Sequence, residues 1–243
     1  MLIMFFGSTM RMLRFLPAKG SRKEKTGEQE SDFMSKLILA SKSPRRKELL
    51  SLLVPENSFA CIPAAKEEVL EGTDIDQAIL SIARSKAEEI QARYPDDLIL
   101  SADTVVVDNG KVLGKPRCKQ EASRTLRCLS GRWHEVKTAM VLLGTDESGQ
   151  AVHKEEVLTT RVHFRTLQEA DILKYVAGGT CMDKAGSYGI QDVDFADKVD
   201  GSYTNVIGLP VELAGEWLEE LSLAEGQKKN RIPKFLPRKN RKH

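Results

Sequence analysis

Two serines and two arginines lie close together in ASKSPRRKELL, residues 40–50, directly after a short apolar run. Ser43 and Pro44 are residue types that favour the N-cap and the first position of a helix. Backbone N–H groups at a helix start, joined by hydroxyl and guanidinium donors, suit phosphate oxygens. The stretch therefore predicts either a site for a strongly anionic ligand or a capped helix with solvated arginines. The four candidate ligand-binding residues are Ser41, Ser43, Arg45 and Arg46.

An acidic residue interrupts the apolar segment LILSADTVVV, residues 98–107. A carboxylate inside an apolar strand needs an ionic partner, a hydrogen-bond network or a cation, because its burial alone is costly. Asp103 is therefore a candidate catalytic residue and metal ligand, and a network aspartate at a strand end is the alternative. Thr104 is expected to face the other side of the strand unless the strand ends or bulges there.

Other polar residues each have an ordinary explanation when they are taken alone. Glu68 belongs to an acidic pair that is expected to be solvated, and lysines on a helix or in a turn are commonly at the surface. Gln191 lies among small residues, which allow a ligand to approach the backbone closely. Together they combine an anion site with carboxylates able to hold a hard divalent metal, which suits phosphoanhydride chemistry. This group contains Glu68, Lys86, Asp103, Thr104, Lys115 and Gln191.

The elements that must position these residues alternate between strand and helix. Residues 37–39 predict a strand, and residues 74–93 show the apolar spacing of a helix. Asn109–Gly110 between two valine-rich arms predicts a hairpin, because both residue types tolerate positive φ. Thr166 and Glu169 predict a capping box, and the helix that it opens should end at Gly178–Gly179.

Two strands are predicted around the turn TDESGQ, residues 145–150, and an amphipathic helix is predicted from Val211 to about Leu223. Interleaved helices and strands with hairpins predict an α/β fold with a mixed, twisted sheet flanked by helices. The economical division is one domain over residues 35–226. Residues 1–34 are expected to be a poorly ordered extension, and residues 227–243 a basic tail.

Charge and cysteine content narrow the classes of function. The chain has a net charge of +2, and the basic tail contains eight Lys or Arg residues and no acid from Lys228 onward. Apart from Phe235, that tail lacks the interleaved aromatic residues of a single-strand binder, so no specific nucleic acid is expected. No apolar stretch approaches a membrane span. Four scattered cysteines favour reduced thiols and a cytoplasmic location.

Five ordered motifs carry a resemblance to a known family: LASKSPRRKELL, SADTVVVDNGKVLGKP, LSGRWHEVKTA, DKAGSYGIQ and GSYTNVIGLP. The chain resembles the Maf family of nucleoside triphosphate pyrophosphatases, which is related in fold to inosine triphosphate pyrophosphatase. The resemblance implies a bilobed fold with a central cleft. It also implies hydrolysis of a nucleoside triphosphate to the monophosphate and pyrophosphate with Mg²⁺ or Mn²⁺.

The resemblance also implies roles for single residues. Asp103 matches the acidic residue treated as general base, and Glu68 more loosely matches a metal-linked carboxylate. Ser41, Ser43, Arg45 and Arg46 match the phosphate-gripping motif, and Lys86 and Lys115 match motif lysines. Positions linked to substrate choice are matched by Arg45, Thr104 and Gln191.

The Asp-Thr pair and the GIQ triplet resemble the branch that acts on dTTP and UTP, with modified pyrimidine nucleotides as further candidates. Asp192 departs from the pattern, since many members have Gly after the Gln. Two alternatives stay open at this point: a septum-formation inhibitor or regulatory nucleotide-binding protein, and a 7-methyl-GTP-type pyrophosphatase. The oligomeric state is also open, with a homodimer as one possibility.

Overall fold

The structure is a computed structural model that describes residues 37–65 and 70–223. The predicted N-terminal extension, the basic tail and Glu68 lie outside the described residues. The strands are β1 (Leu37–Leu39), β2 (Phe59–Cys61), β3 (Leu98–Asp108), β4 (Lys111–Leu113), β5 (Trp133–Thr145), β6 (Ala151–Phe164) and β7 (Ala196–Asp200). The α-helices are α1 (Pro44–Leu50), α2 (Ile75–Gln91), α3 (Lys119–Leu129), α4 (Glu169–Gly178), α5 (Tyr203–Ile207) and α6 (Val211–Glu220).

The seven strands form one mixed sheet in the order β2-β1-β3-β5-β6-β7, with β4 paired to β3. β1 is parallel to β2 and β3, whereas all other pairs are antiparallel. Helix α2 packs on one face over residues such as Ile99 and Val141. The other helices cover the opposite face, with α6 contributing Trp217 and α3 contributing Leu126 to its core. The predicted mixed α/β sheet is therefore confirmed.

One edge of β3 is only partly covered. β1 pairs with Leu98–Leu100 and β4 pairs with Val106–Asp108 on this edge, while β5 runs along the other edge. Within the described chain, residues 101–105 therefore have a strand partner on one side only. This interruption leaves room for a cleft beside Asp103 and Thr104.

Local signals explain where several elements begin and turn. Ser43 is the N-cap of α1 and its side chain accepts a hydrogen bond from the Arg46 N–H, as predicted. Asn109 and Gly110 have φ values of 49° and 73°, so the β3–β4 hairpin has the predicted turn geometry. Gly179 ends α4 in the left-handed conformation, again as predicted.

The capping box predicted at Thr166 and Glu169 is wrong. Helix α4 begins at Glu169 with Gln168 as its N-cap, and no side chain caps this end. The Glu169 carboxylate instead accepts hydrogen bonds from Nε and Nη2 of Arg127 on α3. Glu169 therefore contacts helix α3 instead of capping its own helix. Every helix in the described ranges is too short or too polar to span a lipid bilayer.

Candidate active site

A cleft of about 970 Å³ opens beside the uncovered edge of β3. It lies between the loop after β1, the start of α1, helix α2, the β4 turn and the segment after α4. The structure brings together nine of the ten residues predicted to form the site, and Glu68 lies outside the described residues. The nine that line the cleft are Ser41, Ser43, Arg45, Arg46, Lys86, Asp103, Thr104, Lys115 and Gln191.

The start of α1 forms one wall of this cleft, and hydrogen bonds from the guanidinium group hold Arg46 there. Its Nε donates to the Gly208 carbonyl at 2.8 Å, Nη1 donates to Ser41 Oγ at 3.3 Å, and Nη2 donates to Thr104 Oγ1 at 3.2 Å. The two predictions made for residues 40–50, a capped helix and a site for an anionic ligand, are therefore compatible. Ser43 caps the helix, and Arg46 is a fixed part of the cleft wall rather than a solvated side chain.

Arg45 lies on the same helix but contacts a different element. Its Nη1 is 3.7 Å from Oδ2 of Asp183, which follows α4 in sequence and also lines the cleft. Burial opposes ionisation of Asp183, but its hydrogen bond to Lys184 and the charges of Lys184 and Arg45 leave its pKa below the ordinary value. Asp183 was missed in the sequence, where a lone acid before AGSYG carries no distinctive local signal.

Asp103 forms an ion pair with Lys86 at the α2 side of the cleft. Lys86 Nζ donates to Asp103 Oδ1 at 2.7 Å, and each side chain is only 11% exposed. Ser101, two residues earlier on the same face of β3, donates to the Ala83 carbonyl of α2 at 2.6 Å. The buried carboxylate thus has the ionic partner that its apolar surroundings require.

The segment carrying Gln191 forms another wall of the cleft and is anchored by Tyr175 of α4. The Gly189 N–H donates to Tyr175 Oη at 3.1 Å, and Tyr175 Oη donates to Asp192 Oδ2 at 3.4 Å. Lys184 Nζ lies 3.2 Å from the same Asp192 oxygen. Asp192, the departure from the family pattern, therefore holds the turn that presents Gln191.

A buried histidine, His134, contacts Tyr188 of the wall that carries Gln191. His134 Nε2 lies 2.7 Å from the Tyr188 hydroxyl, and the two rings meet edge to face. Burial lowers the pKa of His134 to about 4, so the imidazole is neutral at physiological pH. Burial likewise raises the pKa of Tyr188. Tyr188 lines the cleft, whereas His134 lies behind it and is not part of its lining.

The charge of the cleft favours an anionic ligand. Its described lining contains five basic and three acidic residues. The basic residues are Lys42, Arg45, Arg46, Lys86 and Lys115, and the acidic residues are Asp103, Asp183 and Asp192. Phosphate groups are the ligand class that such a lining, with a helix start among its walls, is suited to bind.

The donor set also suits a divalent cation that binds together with phosphates. No cluster of three or more His, Cys, Asp or Glu side chains able to hold a metal occurs in residues 37–65 and 70–223. Mg²⁺ commonly uses one or two carboxylates and completes its coordination with water and phosphate oxygens. Asp103, which faces the cleft, fits that pattern. Glu68 lies outside the described residues, and its role as a metal ligand stays a prediction.

Comparison with known proteins identifies the family of this chain. Residues 36–221 match the family model described as Maf-like protein. The chain belongs to the Maf family. It is 45% identical over 179 residues to the dTTP/UTP pyrophosphatase of Carboxydothermus hydrogenoformans, a match that covers 72% of this chain and 93% of the relative. The dTTP/UTP pyrophosphatase of Syntrophomonas wolfei is 42% identical over 176 residues, which covers 71% of this Maf chain and 90% of the relative.

Two solved structures also match this Maf chain. The HAM1 protein from Coxiella burnetii has a TM-score of 0.41 and 17% identity, and the match covers 77% of this chain and 100% of that chain. The Ham1 protein of Staphylococcus aureus has a TM-score of 0.42 and 10% identity, and the match covers 76% and 99% of the two chains.

Proposed function

We propose that this Maf protein hydrolyses dTTP and UTP to the nucleoside monophosphate and pyrophosphate. The names of its relatives support the substrates. The observation that carries the proposal is the 2.7 Å ion pair between Lys86 and Asp103, set in a cleft that Arg45 and Arg46 also line. This arrangement places a carboxylate within a predominantly basic cleft of about 970 Å³.

In the proposed reaction, basic side chains bind and orient the triphosphate. Arg45, Arg46 and Lys115 neutralise phosphate oxygens, and Gln191 contacts the base or the sugar. Asp103 accepts a hydrogen bond from the attacking water and so orients its oxygen toward the α-phosphorus. The new bond joins that oxygen to the α-phosphorus while the bond to the bridging oxygen breaks. Pyrophosphate leaves with the electron pair, and the water proton passes by way of Asp103 to solvent.

A divalent cation belongs to the same proposal. Asp103 and Glu68 would hold Mg²⁺ or Mn²⁺, and the cation would supply further neutralisation of phosphate charge. We expect chelation by EDTA to abolish turnover and either metal to restore it. A cytoplasmic location is part of the proposal as well, and it is supported by four cysteines that are all free, three of them exposed.

The test is pyrophosphate release from dTTP, UTP, CTP and 7-methyl-GTP, measured with each metal. The proposal expects turnover of dTTP and UTP well above that of the other two nucleotides. Asp103→Asn should lower kcat by roughly 100-fold or more, the scale of a lost acid–base group. The exposed Asp96→Asn is the matched control and should retain turnover. Near-normal turnover by Asp103→Asn would contradict the role given to this carboxylate.

A further inference from the structure

A chain of hydrogen bonds runs from the cleft into the interior of the protein. It begins at Arg46, whose Nη2 lies 3.2 Å from Thr104 Oγ1. Thr104 Oγ1 lies 3.0 Å from Thr138 Oγ1 on the neighbouring strand β5. Thr138 Oγ1 in turn lies 3.1 Å from the backbone carbonyl oxygen of Asn205 on α5. The chain thus connects residues of four of the five sequence motifs, LASKSPRRKELL, SADTVVVDNGKVLGKP, LSGRWHEVKTA and GSYTNVIGLP.

The direction of every bond in this chain follows from the chemistry of its ends. A carbonyl oxygen only accepts, so Thr138 must donate its single hydroxyl proton to Asn205. The contact between the two threonines therefore has Thr104 as the donor. Guanidinium nitrogens only donate, so Thr104 accepts from Arg46. All donors point the same way, from the cleft toward the core.

The inner end of the chain is buried and hydrogen-bonded to neighbouring strands. Thr138 and Asn205 are both fully buried. Nδ2 of Asn205 donates to the Val136 carbonyl at 3.1 Å and to Thr160 Oγ1 at 3.0 Å, which ties α5 to β5 and β6. A buried hydroxyl without an acceptor costs free energy. Because Thr138 is buried, its hydroxyl keeps the Asn205 carbonyl as its acceptor, and this fixes the direction in which the hydrogen bonds run.

We infer that Thr104, Thr138 and the Asn205 carbonyl form a directed relay that positions Arg46 for the phosphates of the substrate. This inference rests on the proposed function. While the relay is intact, Thr104 has no proton to donate to a phosphate oxygen, and its influence on the substrate runs through the guanidinium plane of Arg46. Thr104 and Thr138 are accordingly positioning residues.

Paired substitutions at Thr138 separate this role from packing. Thr138→Val keeps the shape of the side chain but removes the acceptor for Thr104, whereas Thr138→Ser keeps the hydroxyl and loses a methyl group. Binding of inorganic tripolyphosphate with Mg²⁺ is measured by calorimetry, together with KM and kcat for dTTP. Thr138→Val should weaken tripolyphosphate binding and raise KM by about three- to tenfold, the scale of one hydrogen bond between neutral groups, with a smaller change in kcat.

Thr138→Ser should stay within about twofold of the wild type, since it keeps the hydrogen bond. The control is Thr159→Val, an exposed threonine on the other face of the sheet that accepts from Lys137. Wild-type affinity in Thr138→Val would overturn the relay. Equal losses in both Thr138 variants would also overturn it, because packing alone would then account for the effect.

Thr104→Val gives a second test that leaves the fully buried position intact. If the relay is correct, the double variant with Thr138→Val should bind tripolyphosphate about as weakly as Thr104→Val alone. Additive losses would contradict the relay. Failure of the wild type to release pyrophosphate from dTTP would instead overturn the proposed function, and it is distinguished by the binding measurement, which needs no turnover.

Discussion

The side chains of Asp103 and Thr104 leave opposite faces of β3 and nevertheless line the same cleft. Asp103 bonds to Lys86 of α2, and Thr104 bonds to Arg46 of α1. Adjacent residues of a strand alternate between faces, so one cleft reaches both only where the strand edge is uncovered. The gap between β1 and β4 provides that edge. Helices from both sides of the sheet can therefore contribute to one site.

The ion pair between Lys86 and Asp103 should couple the two residues in stability. Lys86→Met removes the ionic partner of the buried Asp103 carboxylate, and Asp103→Leu removes an ionic partner of Lys86, so each should lower the free energy of unfolding by about 3 kcal/mol. The double variant should lose less than the sum, because both members of the pair are then absent. Urea denaturation measures all three.

The exposed pair of Lys47 and Glu56 is the control for this cycle, and Lys47→Met should change stability little. Strictly additive losses at Lys86 and Asp103 would show that the pair contributes no coupling.

His134 should make stability depend on pH between about 6.5 and 4. Burial lowers its pKa from 6.5 to about 4, while the charges of Asp108, Arg132 and His163 contribute less. As pH falls through this window, the unfolded chain takes up a proton that the folded protein does not. The free energy of unfolding should therefore fall by about 1.4 kcal/mol per pH unit, roughly 3 kcal/mol in all.

The measurement compares denaturation of the wild type and His134→Gln from pH 8 to pH 4. The difference between the two curves should shrink as pH falls. His153→Gln, at an exposed position, should leave the wild-type profile in place. Parallel curves for the wild type and His134→Gln would contradict the assignment.

Gly208 should resist substitution because of its backbone conformation. Its φ is +126°, a region that L side chains rarely adopt, and its carbonyl accepts from Arg46 Nε at 2.8 Å. Gly208→Ala should cost about 1–3 kcal/mol in stability and raise KM for dTTP, since relaxation of the backbone moves an anchor of Arg46. Thermal melting and steady-state kinetics measure both effects.

Gly178→Ala is the matched control at the end of α4. An added methyl group meets nothing within 4 Å there, and the backbone is not in the strained region. This variant should melt at or slightly above the wild-type temperature. Equal effects at Gly178 and Gly208 would refute the argument from strain.

Tyr175 should affect substrate binding through the turn that carries Gln191. Tyr175→Phe removes the acceptor for the Gly189 N–H and the donor to Asp192, so the turn loses its anchor to α4. KM for dTTP and UTP should rise about three- to tenfold, with a smaller change in kcat. Tyr94→Phe, at a partly buried tyrosine that packs against the core beside α2, serves as the control. Unchanged KM in Tyr175→Phe would show that Asp192 and Lys184 hold the turn without it.

Much of the fold was predictable because its signals are local. The cap at Ser43 and the hairpin at Asn109–Gly110 depend on backbone preferences and on side chains a few residues away. The capping box at Glu169 failed for the opposite reason. Its carboxylate was within reach of Arg127, forty-two positions away in sequence, and that charged partner offered the stronger hydrogen bonds.

The membership of the candidate site was also largely readable, since residue type and motif order single out Ser41, Arg46, Asp103 and Gln191. The sequence did not indicate which contacts these residues make. Asp183 and Tyr175 were missed because their neighbours in the sequence do not indicate which distant residues they contact. Their places were decided by the packing of α4 and its following segment against the sheet.

The sequence by itself determined the chemical groups available for phosphate binding, the helix start that presents them and the strand that carries Asp103. These follow from residue type and short-range backbone preference. Only the tertiary structure decided which of these groups contact one another. The contacts are the ion pair of Lys86 with Asp103, the ion pair of Arg45 with Asp183 and the hydrogen bond from Arg46 to Thr104. The physical reason is that hydrogen bonds and ion pairs depend on distance in space, and sheet register and helix packing bring together groups far apart along the chain.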